Sequence, residues 1–268
     1  MILSTFVSVL ILSGTVWLES ENFWEKSIKN QTIKVISEIA SNEECPVGCR
    51  CEFVRQQVFC HNRGLMKIPL NIPRTTKMLY LQENMLSSTS LLDRELSKLT
   101  QLTRLMLYDN NLTRIPTLSS VHLEKLKIDR NKITRLPDNV LGGFWIWIFN
   151  HNVRIKWPKK LKLQHKAGTP GLVELDLTEN ELTSPNVSAV AFRPNRNLQI
   201  LYLSRNKLTS FPPGLPSSLI QLSLSFNAIN AISKRATRPL HKLETLHLDR
   251  NRLTDKSLEA KGHELNDA

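Results

Sequence analysis

The sequence is poor in glycine, with nine residues in 268, and only 6% of it is aromatic. That scarcity excludes a collagen-like or low-complexity chain. No G-x-S-x-G, H-E-x-x-H or phosphate-binding glycine loop occurs, so the common hydrolase and nucleotide-binding signatures are missing. The histidines, at 61, 122, 151, 165, 241, 247 and 263, never stand with an acid at metal-ligand spacing. Neither catalysis, nor a metal, nor any other cofactor is expected. Past the first residues no apolar run reaches the roughly 20 residues that span a bilayer, so no membrane anchor is expected. The cysteines include no C-x2-C pair, which disfavours a zinc knuckle.

What is present starts with charge. The net charge is +12, and 41% of residues are hydrophobic. A basic balance favours polyanionic partners: nucleic acid, anionic membrane or sulfated glycan. The N-terminus narrows that choice. Residues 2–16, ILSTFVSVLILSGTV, are apolar and uncharged, too short for a comfortable span and suited to a signal-peptide core. Residues 1–20 are read as a signal peptide, cleaved between Gly14 and Ser20. Residues 21–44 are read as a flexible leader. The four cysteines, Cys45, Cys49, Cys51 and Cys60, follow as C-x3-C-x-C-x8-C. Two disulfides in an oxidising compartment fit that spacing, and three pairings are open. N-x-S/T sequons at Asn30, Asn111 and Asn186 point the same way. Secretion makes nucleic acid an unexpected partner despite the charge.

The strongest signal is an internal repeat, L-x-x-L-x-L-x-x-N-x-L. It is clean at 102–112, 123–133, 172–182, 198–208, 219–229 and 243–253, and lacks only its first leucine at 76–86. Within it, L-x-L has the period of a strand, with leucines inward and the intervening residues outward. One such unit cannot bury its own leucines, so the units must stack. The inward asparagine at each strand exit is expected to satisfy backbone groups of the turn. The 49 residues from Asn131 to Asn180 are too many for one repeat. Asn152, in FWIWIFNHNVR at 144–154, marks a degenerate fourth repeat. The expectation is therefore eight repeats over 75–254, an irregular tail at 255–268, and poor packing at repeat four. The cysteine-rich segment 45–74 is expected to cover the first leucine layer.

The segment CPVGCRCEFVRQQVFCHNRGLMKIPLNIP, residues 45–73, resembles the N-terminal cap of extracellular leucine-rich-repeat proteins. With a signal peptide and short repeats, the chain is similar to the small leucine-rich proteoglycan family. The resemblance implies an α/β-type repeat solenoid, a leucine-rich-repeat horseshoe with a parallel concave sheet and a disulfide-tied cap. It implies the pairings Cys45–Cys51 and Cys49–Cys60. It also implies a secreted matrix protein that binds an extracellular protein ligand, collagen or a growth factor of the transforming growth factor-β type. The family's closing C-terminal cysteines have no counterpart in residues 255–268. The last leucine layer is expected to be exposed. Ser-Gly occurs only at Ser13-Gly14, so no glycosaminoglycan chain is expected on the mature protein.

The outward strand positions define the expected ligand surface. Tyr80, Arg104, Tyr108, Lys125, Lys127 and Arg130 form its aromatic and basic part. Glu174 and Asp176 turn it acidic, and Tyr202 and Arg205 follow. Tyrosines beside arginines are typical hot-spot chemistry. A second candidate is KWPKKLKLQHK at 156–166, whose Lys156, Lys159, Lys160, Lys162 and Lys166 suit heparan sulfate.

Overall fold

A computed structural model describes residues 44–138, 140–141, 169 and 171–254. The chain divides after Glu44, and Cys45–Ala268 is one compact unit. The expected signal peptide, leader and tail, along with Asn30, Asn152 and the 156–166 lysines, lie outside the described residues.

The L-x-L segments become strands of three residues each. They are β3 (Met78–Tyr80), β4 (Arg104–Met106), β5 (Lys125–Lys127), β6 (Glu174–Asp176), β7 (Ile200–Tyr202), β8 (Gln221–Ser223) and β9 (Thr245–His247). All pair in parallel, in sequence order. A hairpin of β1 (Arg50–Glu52) and β2 (Gln57–Phe59) closes the N-terminal end, β2 lying parallel to β3. This is a leucine-rich-repeat horseshoe: a parallel-sheet solenoid with a cap. Disulfides join Cys45 to Cys51 and Cys49 to Cys60. Cys60 is fully buried against the first repeat layer.

The core follows from period 2. Leu79, Leu105, Leu126, Leu175, Leu201 and Leu222 point inward and are fully buried. Burial of one such side chain contributes about 1.5–3 kcal/mol. The return segments add Phe192, Phe211 and Leu240. One of them holds helix α1 (Ser90–Ser97), whose first turn is capped by Thr89 accepting from Leu92 N. At Gly214 the φ is +65°, and a Cβ would come within 1.7 Å of Ala189 O. Only glycine fits there.

Each strand ends in one left-handed residue: Glu83, Asp109, Arg130, Glu179, Arg205, Phe226 or Arg250, with φ between 48° and 56°. That conformation costs a non-glycine residue roughly 1–2 kcal/mol. The asparagine that follows holds it in place. Asn131 Oδ1 accepts from Leu112 N, while its amide donates to Leu107 O and Ile128 O. Asn110, Asn180, Asn206, Asn227 and Asn251 repeat the pattern, each bonding to the preceding repeat and to its own. The result is a continuous asparagine ladder.

One expectation is corrected. Among the described residues no repeat strand stands between β5 and β6, because those strands pair directly: Lys125 opposite Glu174, Leu126 opposite Leu175, Lys127 opposite Asp176. The ladder also crosses without a gap, since Ile133 N donates to Asn180 Oδ1 at 2.9 Å. Residues 144–154 lie outside the described residues, and among the described residues the array has seven parallel repeat strands. The described residues on either side of that segment meet: Thr169 N donates to Leu141 O at 3.0 Å, and both residues are buried. Asn131 and Asn180, 49 residues apart, are adjacent rungs of the ladder, where asparagine counting expects a repeat between them.

Candidate functional site: the concave face

Strand register arranges the outward residues in rows across the sheet. One row runs Gln57, Met78, Arg104, Lys125, Glu174, Ile200, Gln221, Thr245. The next runs Phe59, Tyr80, Met106, Lys127, Asp176, Tyr202, Ser223, His247. The face divides into three chemical zones.

The first zone is apolar and aromatic. Phe59 and Tyr80 stack with centroids 4.7 Å apart and planes 7° from parallel. The Arg50 guanidinium lies 4.2 Å over Phe59, a cation–π contact. Met78 and Met106 extend the platform, half-buried, and Arg104 is exposed beside them. Among the described residues no carboxylate forms an ion pair with Arg104.

The middle zone is charged but satisfies itself. Lys125 Nζ lies 2.6 Å from Glu174 Oε2, and Lys127 Nζ 3.9 Å from Asp176 Oδ2. Arg130 bridges Asp109 and Asp129, at 2.8 Å each, with its guanidinium 5.1 Å over Tyr108. The basic and acidic patches expected from sequence thus face each other across adjacent strands. The direct pairing of β5 with β6 is what brings them into contact.

The third zone holds Ile200 and Tyr202. Next to them Arg205 Nε lies 3.5 Å from Glu179 Oε1, and the Arg205 guanidinium stacks 4.2 Å over Phe226. Burial, aided by the Glu174 and Asp176 carboxylates, raises the Tyr202 hydroxyl above its usual range. Burial with Glu83 and Asp129 does the same for Tyr108. Both hydroxyls remain protonated donors at neutral pH.

Sequence reading passed over Phe59, Met78 and Asp129. The first two are recognisable once Q-V-F at 57–59 is aligned with M-L-Y at 78–80. Asp129 is only 5% exposed, and its Oδ1 has no hydrogen-bond partner. Burial, then the neighbouring Asp176 carboxylate, pushes its pKa up to about 6 from the ordinary 3.8. Between those values the folded chain keeps a proton that the unfolded chain has lost. Stability therefore falls as pH rises through that window, and the loss is complete above it. Asp129→Asn is expected to stabilise the fold at pH 7 by about 1 kcal/mol after allowance for solvent screening. The gain vanishes below pH 4. Thermal midpoints of both proteins from pH 4 to 7 test this; parallel curves would refute it.

Elsewhere, Asn111 and Asn186 are both exposed, and the Asn186 amide donates to Thr183 Oγ1. A groove of about 370 Å³ on the strand-entry edge is lined by Lys77, His122, Glu124 and Gly171 among others. Among the described residues no three His, Cys, Asp or Glu side chains form a metal cluster. No described helix is long and apolar enough to cross a membrane.

The family model described as Leucine rich repeat matches residues 196–253. The solved octameric complex of Latrophilin 3 (Lec, Olf), Unc5D (Ig, Ig2, TSP1) and FLRT2 (LRR) contains a chain that superposes with a TM-score of 0.65. That chain is 31% identical, the match covering 80% of the present chain and 57% of the other. The chain is a leucine-rich-repeat protein. This leucine-rich-repeat protein is 30% identical to human Leucine-rich repeat transmembrane protein FLRT2 over 225 residues, 84% of its length and 30% of the relative's. It is 31% identical to Danio rerio Keratocan over 215 residues, 71% of its length and 54% of the relative's. Human Podocan-like protein 1 is 34% identical over 179 residues, 65% of the chain and 34% of the relative. The leucine-rich-repeat chain thus spans between about a third and a half of the length of these relatives.

Proposed function

We propose that this chain is a secreted matrix protein of the small leucine-rich proteoglycan type, podocan- or nephrocan-like, that binds an extracellular protein through its concave face. The observation carrying this reading is the first concave zone, where Phe59, Tyr80, Met78 and Met106 form a half-open platform beside an unpaired Arg104. Aromatic, methionine and arginine side chains are what protein interfaces concentrate at their centres. The two disulfides support an oxidising compartment, and likeness to Keratocan and Podocan-like protein 1 supports the family. The ligand class is a growth factor of the transforming growth factor-β type, or collagen, and binding modulates signalling.

The test is to secrete the chain from mammalian cells, immobilise it, and pass transforming growth factor-β and fibrillar collagen over it. Tyr80→Ala with Arg104→Glu is expected to weaken capture at least tenfold, the effect of losing about 1.4 kcal/mol or more. Capture unchanged in that variant would move the ligand off the concave face. The alternative is a structural matrix component that binds collagen or sulfated glycans without a signalling role. The exposed cations Lys234, Arg235, Arg238 and Lys242, without ion-pair partners among the described residues, favour it.

A further inference from the structure

The ion pairs are unevenly distributed. On the concave face Lys125, Lys127, Arg130 and Arg205 all have carboxylate partners. The return segment between β3 and β4 is also neutralised: Asp93 pairs with Arg114, and Glu95 with Arg94 and Lys98. The return segment between β8 and β9 differs. From residue 228 to 243 it contains Lys234, Arg235, Arg238 and Lys242, with His241, and no acid. These five side chains are exposed, and no ion pair to them occurs among the described residues. The preceding return, 208–219, has no charged residue to offset them.

The cations stand on ordered backbone. Helix α2 (Lys234–Thr237) forms a single turn, closed by Arg238 N donating to Lys234 O at 2.9 Å. Leu240 is buried, and Ile232, Ala236 and Leu243 pack on the core from the same segment. That anchoring holds the charged side chains outward together. Arginine's planar fork suits tetrahedral oxyanions with two parallel hydrogen bonds. The disulfide-forming compartment supplies sulfated polysaccharide rather than nucleic acid.

We propose that residues 234–242 form a binding site for a sulfated glycan, on the return side of the solenoid and separate from the concave protein-binding face. This rests on the extracellular reading above and deepens its alternative. It is distinct from the 156–166 lysines, which lie outside the described residues, and it leaves the concave face free for a second ligand.

The full secreted chain is loaded on immobilised heparin and eluted with salt, and its affinity for heparin is measured in solution. The wild type is expected to stay bound at about 0.15 M salt, where exposed charges are screened beyond roughly 8 Å, and to elute above it. Arg235→Glu with Arg238→Glu is expected to lose at least tenfold in affinity while its thermal midpoint is unchanged. The milder pair Arg235→Gln with Arg238→Gln provides the same comparison should the reversal impair secretion. Replacing Lys156, Lys159, Lys160, Lys162 and Lys166 with serine is expected to leave most of the affinity. The proposal is overturned if the Arg235/Arg238 variants bind as the wild type does, or if the serine variant alone abolishes binding. Tighter binding of phosphatidylserine vesicles than of heparin through the same arginines also overturns it, in favour of a membrane. Tyr80→Ala with Arg104→Glu, run on the same column, separates the two readings. Retention there, with protein capture lost, keeps both; retention with protein capture intact sinks only the concave reading.

Discussion

Asn180→Ala is expected to destabilise the repeat array by about 3 kcal/mol. Asn180 is buried and joins the two repeats that carry β5 and β6. Its amide donates to Ile128 O, Leu177 O and Thr178 O. Those carbonyls keep other donors: Asn131 Nδ2, Asn206 Nδ2 and Arg130 N respectively. Ile133 N is different, because Asn180 Oδ1 is its acceptor and alanine leaves it buried without one. An unsatisfied buried donor costs roughly 1–3 kcal/mol, and the lost side-chain volume adds to that. For a unit of this size the thermal midpoint falls by roughly 6–12 °C. Asn251→Ala provides the control. It removes the same ladder bond to Ile229 N, but Asn251 is only half-buried, so water replaces part of the loss. Equal shifts in the two variants would show that burial of the ladder is not what makes it stabilising.

Removing residues 144–168 is expected to leave the array folded and more stable, by up to about 2 kcal/mol. The new junction joins Gly143 to Thr169, whose N–H donates to Leu141 O. The spacing from Asn131 to Asn180 then falls from 49 to 24 residues, within the range of 21 to 26 shown by the other ladder asparagines. No described strand pairing is lost, because β5 already lies against β6. Closing a loop of two residues instead of about 27 lowers the chain-entropy cost by (3/2)RT ln n, roughly 2 kcal/mol. Denaturant unfolding of the full and shortened chains measures the difference. A shortened chain that fails to fold, or loses more than about 2 kcal/mol, would mean that the deleted residues cover part of the core.

The two changes probe links of different kinds. The asparagine was readable in advance. In L-x-x-L-x-L-x-x-N the strand alternation puts leucines inside, and a polar residue held at the same inner layer must find backbone partners. Asn84 shows how general this is, since it serves the cap as well, accepting from Arg63 N and Leu65 N and donating to Cys60 O. The direct pairing of β5 with β6 was not readable in advance. FWIWIFNHNVR has an apolar alternation and an asparagine at the right interval, and periodicity cannot distinguish a poor repeat from a segment outside the stack. Only the pairing of Lys125 with Glu174 distinguishes them.

The repeat period, the inward leucines and asparagines, the disulfide-rich start and the outward set of side chains were determined by the sequence alone. Each depends on residues within one repeat length of each other, where strand and turn geometry leaves few choices. Tertiary structure decided which repeats are neighbours, and with that which charges meet. Lys125 and Lys127 looked like a basic patch until β6 placed Glu174 and Asp176 beside them. Nothing in the sequence marks Asp129, and stacking buries it with one oxygen unpartnered. Coulomb energy and desolvation depend on distances and on water access across strands, and both are fixed only when the repeats stack.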